Sequence, residues 1–311
     1  MKLPIYFAPL QGYTDDVYRR LHHELFGGIT TYYTPFVRVE AGGVRPKDLR
    51  DIYPEYNEGV PVVPQIIMKS KKEFDYLVDV IAGKGYREID LNMGCPFPMQ
   101  AKHGRGSGLL ANLPEIEAII GSIQERKDLT FSVKMRLGWE DKAECVPVLD
   151  LLNSIPLKHI TLHPRIGKQQ YKGEVDNEAF RLFYEHCKHP LIYNGDLRSV
   201  ADVKEKIEEY PNLAGVMVGR GLLARPSLAR ECLEEREWSW KERKPLLLEM
   251  HERMRKHYEG IMNNDAQVHS KLRVFWEYMD AELDRKVYKK IMKSGNLKNY
   301  LAAVAEVERM V

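Results

Sequence analysis

The chain is predicted to be an α/β protein, a TIM (β/α)8 barrel with a small C-terminal helical-bundle domain, on three observations. Eight short apolar runs recur over the first three quarters of its 311 residues. Most are separated by segments with apolar residues at three- and four-residue spacing, and beyond about Trp240 helical periodicity continues without strands. Regular alternation of strand and helix implies a parallel sheet, and eight units in about 235 residues fit a closed barrel better than an open doubly wound sheet. A Rossmann-type sheet would usually show a glycine fingerprint after its first strand, and this chain does not.

The strand runs are IYFAPL (5–10), TYYTPFV (31–37), PVVPQII (61–67), EIDLNM (88–93), TFSVKMRL (130–137), HITLHP (159–164), PLIYNG (190–195) and GVMVGR (215–220). The fourth is too short and too β-branched for a helix, so it reads as a strand whose tip carries Asn92 and then Cys95. Amphipathic helices are expected over 72–82, 114–126 and 143–153. The division expected from the change of pattern is a barrel domain over 1–238 and a helical domain over 239–311.

Nearly every strand leaves a polar residue at its C-terminal end, where barrel enzymes place their chemistry. In order these are Gln11, Arg38, Gln65, Asn92 with Cys95, Lys134 with Arg136, His163 with Arg165, Asn194 with Asp196, and Arg220. Singly each has a bland reading: Gln65 as a satisfied core amide, Lys134 as a snorkelling lysine, His163 as a structural histidine. Their shared position points to one polar site. The last two strands end in NGD (194–196) and GRG (219–221) followed by helical sequence, which suits a phosphate after strands seven and eight and implies a phosphorylated cofactor. The glycines of HGRGSG (103–108) lack a Walker lysine and are read as a flexible loop near the site.

Composition narrows the function classes. A hydrophobic content of 44% is ordinary for a globular chain, and a net charge of +2 means that any nucleic-acid surface must be local. The N-terminus has no signal-peptide core and no run is long enough to span a bilayer, so a cytoplasmic protein without a membrane partner is expected. Cys95, Cys145, Cys187 and Cys232 form no CxxC or zinc grouping and are expected to be free thiols, with no metal. Cys95 stands apart because it lies in a loop at the active face, with no acidic residue from 91 to 113, whereas the other three fall in expected helices. In the helical tail, Arg285, Lys286, Lys289, Lys290, Lys293 and Lys298 occur with no acid between Asp284 and Glu306, and Tyr288 and Tyr300 are interleaved. A charge run can be only a solvated face, but a basic, aromatic-bearing surface beside a barrel mouth also suits RNA.

Together these stretches resemble the tRNA-dihydrouridine synthases, bacterial members included: APLQGYTD (8–15), TPFVRV (34–39), PQI (64–66), LNMGCP (91–96), VKMRLGW (133–139), LHPR (162–165) with QQYKG (169–173), NGD and VGRG. The likeness covers almost the whole chain. It implies flavin-dependent reduction of a uridine in tRNA to 5,6-dihydrouridine, with NADPH reducing FMN, hydride passing from flavin to C6 and a proton from Cys95 to C5. It implies FMN contacts from Pro9, Gln65, Lys134 and His163, with Asn194, Gly195, Asp196, Gly219 and Arg220 near the ribityl and phosphate end. It makes Asn92, Lys134, Arg136, Arg165 and Tyr171 candidates for holding the nucleotide; Lys286, Lys289, Lys290 and Lys293 recur at helical spacing, so several are expected to share one face and meet the tRNA phosphates. A monomer is expected. Two positions depart from the family: Pro164 replaces the common glycine between histidine and arginine, and Gln11 stands where alanine or glutamate is often found.

The residue types make chemical sense. Hydride addition at C6 develops enolate character that Lys134 or Asn92 would stabilise, and a thiol of pKa near 8.5 is about 97% protonated at pH 7, as an acid needs to be. Competing readings are an FMN oxidoreductase of a small pyrimidine, of dihydroorotate or dihydropyrimidine type, the same uridine reduction on ribosomal RNA, and a non-catalytic RNA-binding barrel. The small-pyrimidine enzyme would not need the basic tail, and the full set of polar strand ends argues against the last.

Overall fold

The computed structural model describes residues 3–310. The eight expected strands are all present: β1 (Ile5–Phe7), β2 (Thr31–Tyr33), β3 in two pieces (Val62–Val63 and Gln65–Ile66), β4 (Glu88–Met93), β5 (Thr130–Gly138), β6 (Ile160–Ile166), β7 (Leu191–Tyr193) and β8 (Gly215–Val218). Every pairing between them is parallel, in the order β2, β1, β8, β7, β6, β5, β4, with one piece of β3 at each end. Val62–Val63 pairs with β2 and Gln65–Ile66 with β4, so the sheet closes through Pro64. Proline has no N–H for the ladder, which is why the third strand is two pieces rather than one. Its carbonyl still accepts the Asp90 N–H at 2.9 Å.

The second proline within a strand, Pro164, is tolerated for a related reason. The register between β5 and β6 shifts between Arg136 and Gly138, so the missing donor falls at an irregularity in the ladder. β6 therefore runs on to Ile166 despite the departure from glycine at 164.

Helices cover the outside of the barrel as expected. Lys71–Ala82 starts where the Ser70 hydroxyl accepts the Glu73 N–H, and it buries Phe74, Leu77, Val78 and Ile81. Leu113–Glu125 is capped by Asn112 and buries Ile116, Ile119, Ile120 and Ile123. The helix expected over 143–153 begins as a 3₁₀ turn, Lys142–Glu144, closed by reciprocal bonds between Asp141 and Glu144, and becomes α-helical over Cys145–Leu152.

Two local features differ from expectation. The glycine-rich segment after Cys95 is a 3₁₀ helix, Gly106–Ala111, with Ser107, Leu109 and Leu110 buried, rather than an open flexible loop. Residues 39–44 form a small antiparallel hairpin around Ala41 and Gly42, both at positive φ. Two consecutive left-handed residues are what a tight hairpin turn requires.

The C-terminal region consists of Trp240–Ile261, Asp265–Arg273, Arg285–Met292 and Leu297–Glu308. Its buried Met250, Met254, Leu272, Trp276 and Val304 join the same apolar core that lines the barrel exterior. Asp15, the cap of the first barrel helix, ties the two regions together by accepting from Tyr258 Oη and Lys271 Nζ, both at 2.8 Å. Tyr300 is not a surface aromatic: it is fully buried, its hydroxyl between His251 Nε2 at 2.7 Å and Trp276 Nε1 at 3.0 Å. Among the described residues no helix is long and apolar enough to cross a membrane.

Candidate active site

Parallel register puts the strand-end residues side by side at one end of the barrel. Asn92 lies opposite Lys134, and Arg136 opposite His163, on adjacent strands. A pocket opens there. Pro9, Lys134, His163, Asn194, Gly195, Asp196, Gly219 and Arg220 line it, together with Tyr171. Ala8, Leu10, Leu197, Arg198, Met217, Val218 and Gly221 complete the wall. Of these, Arg198 carries charge that the strand-end pattern missed, because it lies two residues beyond the NGD turn. Gly221 is where a side chain would be excluded, since a Cβ would sit 2.1 Å from the Leu197 carbonyl oxygen.

Several predicted residues lie beneath or beside the pocket rather than in its wall. Gln65 is fully buried, its Nε2 on Asp90 and its Oε1 accepting from Asn92 Nδ2, each at 2.7 Å. Asn92 is buried, and its Oδ1 accepts from the N–H groups of Gly94 and Cys95. Arg165 is almost fully buried and donates to Asp196, to the Gly173 carbonyl at 2.6 Å and to His163 Nε2 at 3.1 Å. Arg136 is equally buried and donates to the Ile166 carbonyl at 3.0 Å. Gln11 reaches the Phe36 carbonyl at 3.3 Å.

The pocket is strongly cationic. Burial, with Arg136 as the main charged neighbour, pushes the Lys134 ammonium down to about 8, and it has no ion pair among the described residues. Burial and the charges of Arg136, Lys134, Arg165 and Arg220 hold His163 well below its ordinary value, so the ring is neutral. Because Arg165 can only donate, His163 Nε2 is the acceptor and the proton sits on Nδ1. Burial works against the Asp196 carboxylate, but bonds and charge from Arg165 and Arg220 keep it below the usual range. One acid thus faces Arg165, Arg220 and Arg198, in a pocket whose wall also holds Lys134. The Arg220 guanidinium also stacks over the Tyr171 ring, 4.2 Å from its centre, with Arg136 at 5.3 Å. A pocket with this surplus of cations is built to receive an anionic, hydrogen-bond-rich group.

Cys95 is half-buried beside this pocket. Burial raises its thiol above the ordinary value, only partly offset by the Phe97 N–H and the charges of Arg136, Lys134 and Arg38. The thiol is therefore protonated at neutral pH. Its backbone is gripped from two sides, by Asn92 Oδ1 and by Ser107, whose N–H and hydroxyl reach the Cys95 carbonyl at 3.2 and 2.9 Å. Gly106 is needed for that grip: it sits at φ +59°, and a Cβ would lie 2.7 Å from the Cys95 Cβ. Gly106→Ala is expected to displace Cys95 and lower activity at least about tenfold, from strain of 1–2 kcal/mol or more at the left-handed position. Gly104→Ala, at φ +73° with its nearest neighbour atom 3.8 Å away, should cost similar stability without moving Cys95. Thermal melts and turnover of the two variants separate these effects.

The basic tail lies elsewhere. Lys289, Lys290 and Lys293 border a shallow groove with Asn299, Ala302 and Glu306. Lys290 is committed to Glu306 at 2.7 Å, whereas Lys286, Lys289 and Lys293 have no ion pair among the described residues.

A family model described as Dihydrouridine synthase (Dus) matches residues 6–310. A protein named probable tRNA-dihydrouridine synthase from Rhodobacter capsulatus is 28% identical over 232 residues, covering 72% of this chain and 68% of that protein. One of the same name from Helicobacter pylori is 31% identical over 231 residues, covering 71% and 67%. tRNA-dihydrouridine synthase B from Pasteurella multocida is 26% identical over 240 residues, covering 76% and 71%. Among solved structures, morphinone reductase superposes with a TM-score of 0.52 at 12% identity, covering 76% of this chain and 87% of that one, a likeness of fold.

Proposed function

This chain belongs to the dihydrouridine synthase family and is an enzyme of that type, and on that premise we propose that it reduces a uridine of tRNA to 5,6-dihydrouridine, with FMN as resident cofactor and NADPH as reductant. The observation that carries this reading is the juxtaposition of a protonated thiol, Cys95, with a cation-rich pocket at one barrel end. Pro9, Lys134 and His163 would meet the FMN ring, with Gln65 below them, and Asn194, Gly195, Asp196, Gly219 and Arg220 its ribityl phosphate. When bound and reduced, FMN would supply hydride at uracil C6.

The protein's own residues would do the rest. Cys95 holds the proton for C5. Enolate charge on the uracil needs a donor, and since the Asn92 amide is committed to Gln65, Lys134 is the free cation available for it. Arg136 and Tyr171, which lie against each other, would flank the nucleotide, and buried Arg165 would hold Asp196 and His163 in place. Purified protein carrying a flavin spectrum, and dihydrouridine in tRNA but not in ribosomal RNA from cells that have the gene compared with cells that lack it, would test this. Absence of flavin, or an unchanged dihydrouridine map, would refute it.

Extruding a uridine from folded RNA costs a few kcal/mol, which contacts elsewhere must offset. Replacing Lys286, Lys289, Lys290 and Lys293 by glutamine is expected to flatten the plot of log K against log salt by about 2 to 3, the yield of three unpaired lysines at roughly 0.7 to 0.9 each. FMN content should not change. An unaltered slope would mean that the run is a solvated face.

A further inference from the structure

A buried carboxylate under the Cys95 loop takes no part in the chemistry above. Asp90, in β4, is fully buried; its Oδ2 accepts Gln65 Nε2 at 2.7 Å and its Oδ1 accepts the Ser132 hydroxyl at 2.6 Å. Burial pushes its carboxyl up to about 6, while the two donors Gln65 and Ser132 on its oxygens favour the ionised form. An ionised carboxylate only accepts. Gln65 must therefore turn its NH2 toward Asp90 and its carbonyl away, and Asn92 Nδ2 arrives at that carbonyl at 2.7 Å. Having spent its NH2, Asn92 presents Oδ1, which accepts the Gly94 N–H at 3.1 Å and the Cys95 N–H at 2.8 Å. Reversing either amide would set donor against donor or acceptor against acceptor in a buried place, and would leave the loop N–H groups without an acceptor.

We propose that Asp90 is a positioning residue for Cys95, setting the polarity of two side-chain amides in series so that the second one holds the cysteine loop. Asp90 reaches the cysteine loop through Gln65 and Asn92 and does not meet the reacting atoms; its charge also favours the Lys134 ammonium, an effect that the alkylation rate of Cys95 does not read. The catalytic consequence rests on the reading of Cys95 as proton donor; the positioning itself does not.

The test is the rate of alkylation of Cys95 by iodoacetamide in the flavin-loaded protein, followed by mass spectrometry with Cys145, Cys187 and Cys232 as references within the same chain. Asp90→Asn lets Gln65 face either way, so the loop is released and Cys95 is expected to react about tenfold faster, the scale of a lost coupling of 1.4 kcal/mol. Gln65→Met, which breaks the series without disturbing the Asp90–Ser132 bond, should do the same, and it carries the test if Asp90→Asn does not fold. Asn92→Ala should also speed alkylation, and adding Asp90→Asn to it should add nothing. In RNA reduction, Asp90→Asn should lower kcat while the KM for RNA stays within about twofold. Native Cys95 reactivity in either folded variant, or additive effects of Asp90→Asn and Asn92→Ala, would overturn the proposal. Normal RNA reduction by Cys95→Ala would instead refute the proton-donor reading, with the alkylation results still deciding the positioning.

Discussion

Cys95→Ala is expected to lower RNA reduction by about two orders of magnitude or more, the scale of general acid catalysis, while folding, flavin content and NADPH-driven flavin reduction stay near normal. The structure gives the reason for the second half. The Cys95 loop is held by its backbone, through Asn92 and Ser107, so losing the sulfur leaves the grip in place. Cys145 is a different case, its thiol turned to the Lys142 carbonyl at 3.1 Å, and Cys232 is wholly buried. Burial pushes their thiols to about 11 and about 12. Cys145→Ala should therefore leave turnover unchanged. Single-turnover mixing of reduced enzyme with unmodified RNA separates the steps, and a near-normal rate for Cys95→Ala would remove this thiol from the mechanism.

Lys134→Met should cost about a hundredfold in turnover or more, the yield of one well-placed donor at a developing negative charge. It should also make the protein more stable. Folding pulls the lysine down to about 8 from its ordinary 10.5, so between those values the folded protein binds fewer protons than the unfolded chain. Stability therefore rises with pH across that window, and at pH 7 the full penalty of holding the charge is present. It is on the order of 3 kcal/mol, and methionine removes it while keeping most of the side chain's shape. In the wild type the cation is lost above about pH 8, so turnover should fall there through Lys134, and the variant should lack that limb. Denaturant titrations of flavin-free protein at pH 7 and 10 read the stability, with the gain expected to shrink at the higher pH. Equal stability of both proteins at pH 7 would show that Lys134 is not held against its own charge. His163→Ala should lower flavin occupancy, since the ring lines the same pocket.

Much of the site was legible because it sits on repeated local pattern. The alternation of apolar runs and amphipathic segments named the eight strands, and the polar strand ends named the pocket's charged and amide residues Lys134, His163, Asn194, Asp196 and Arg220. Asp90 shares the run EIDLNM with a second acid, Glu88, and nothing in the run says which of the two is buried or what it binds. The glycines of HGRGSG read as mobility, whereas Gly106 is there for close approach to a residue eleven positions earlier. Tyr300 sat among lysines in sequence and reads as a surface aromatic, yet its neighbours in space are His251 and Trp276.

The sequence by itself thus determined the architecture and the barrel end that carries the candidate site, because strand and helix periods and turn residues are local and act over a few positions. Tertiary structure alone decided how each polar group is spent. Gln65 is joined to Asp90 across 25 positions, Arg165 to Asp196 across 31, and Lys290 to Glu306 across 16. Those pairings set which amide faces the cysteine loop, which arginine is buried and which lysine is neutralised. A hydrogen bond or an ion pair depends on distance and direction in space, and spacing along the chain carries neither.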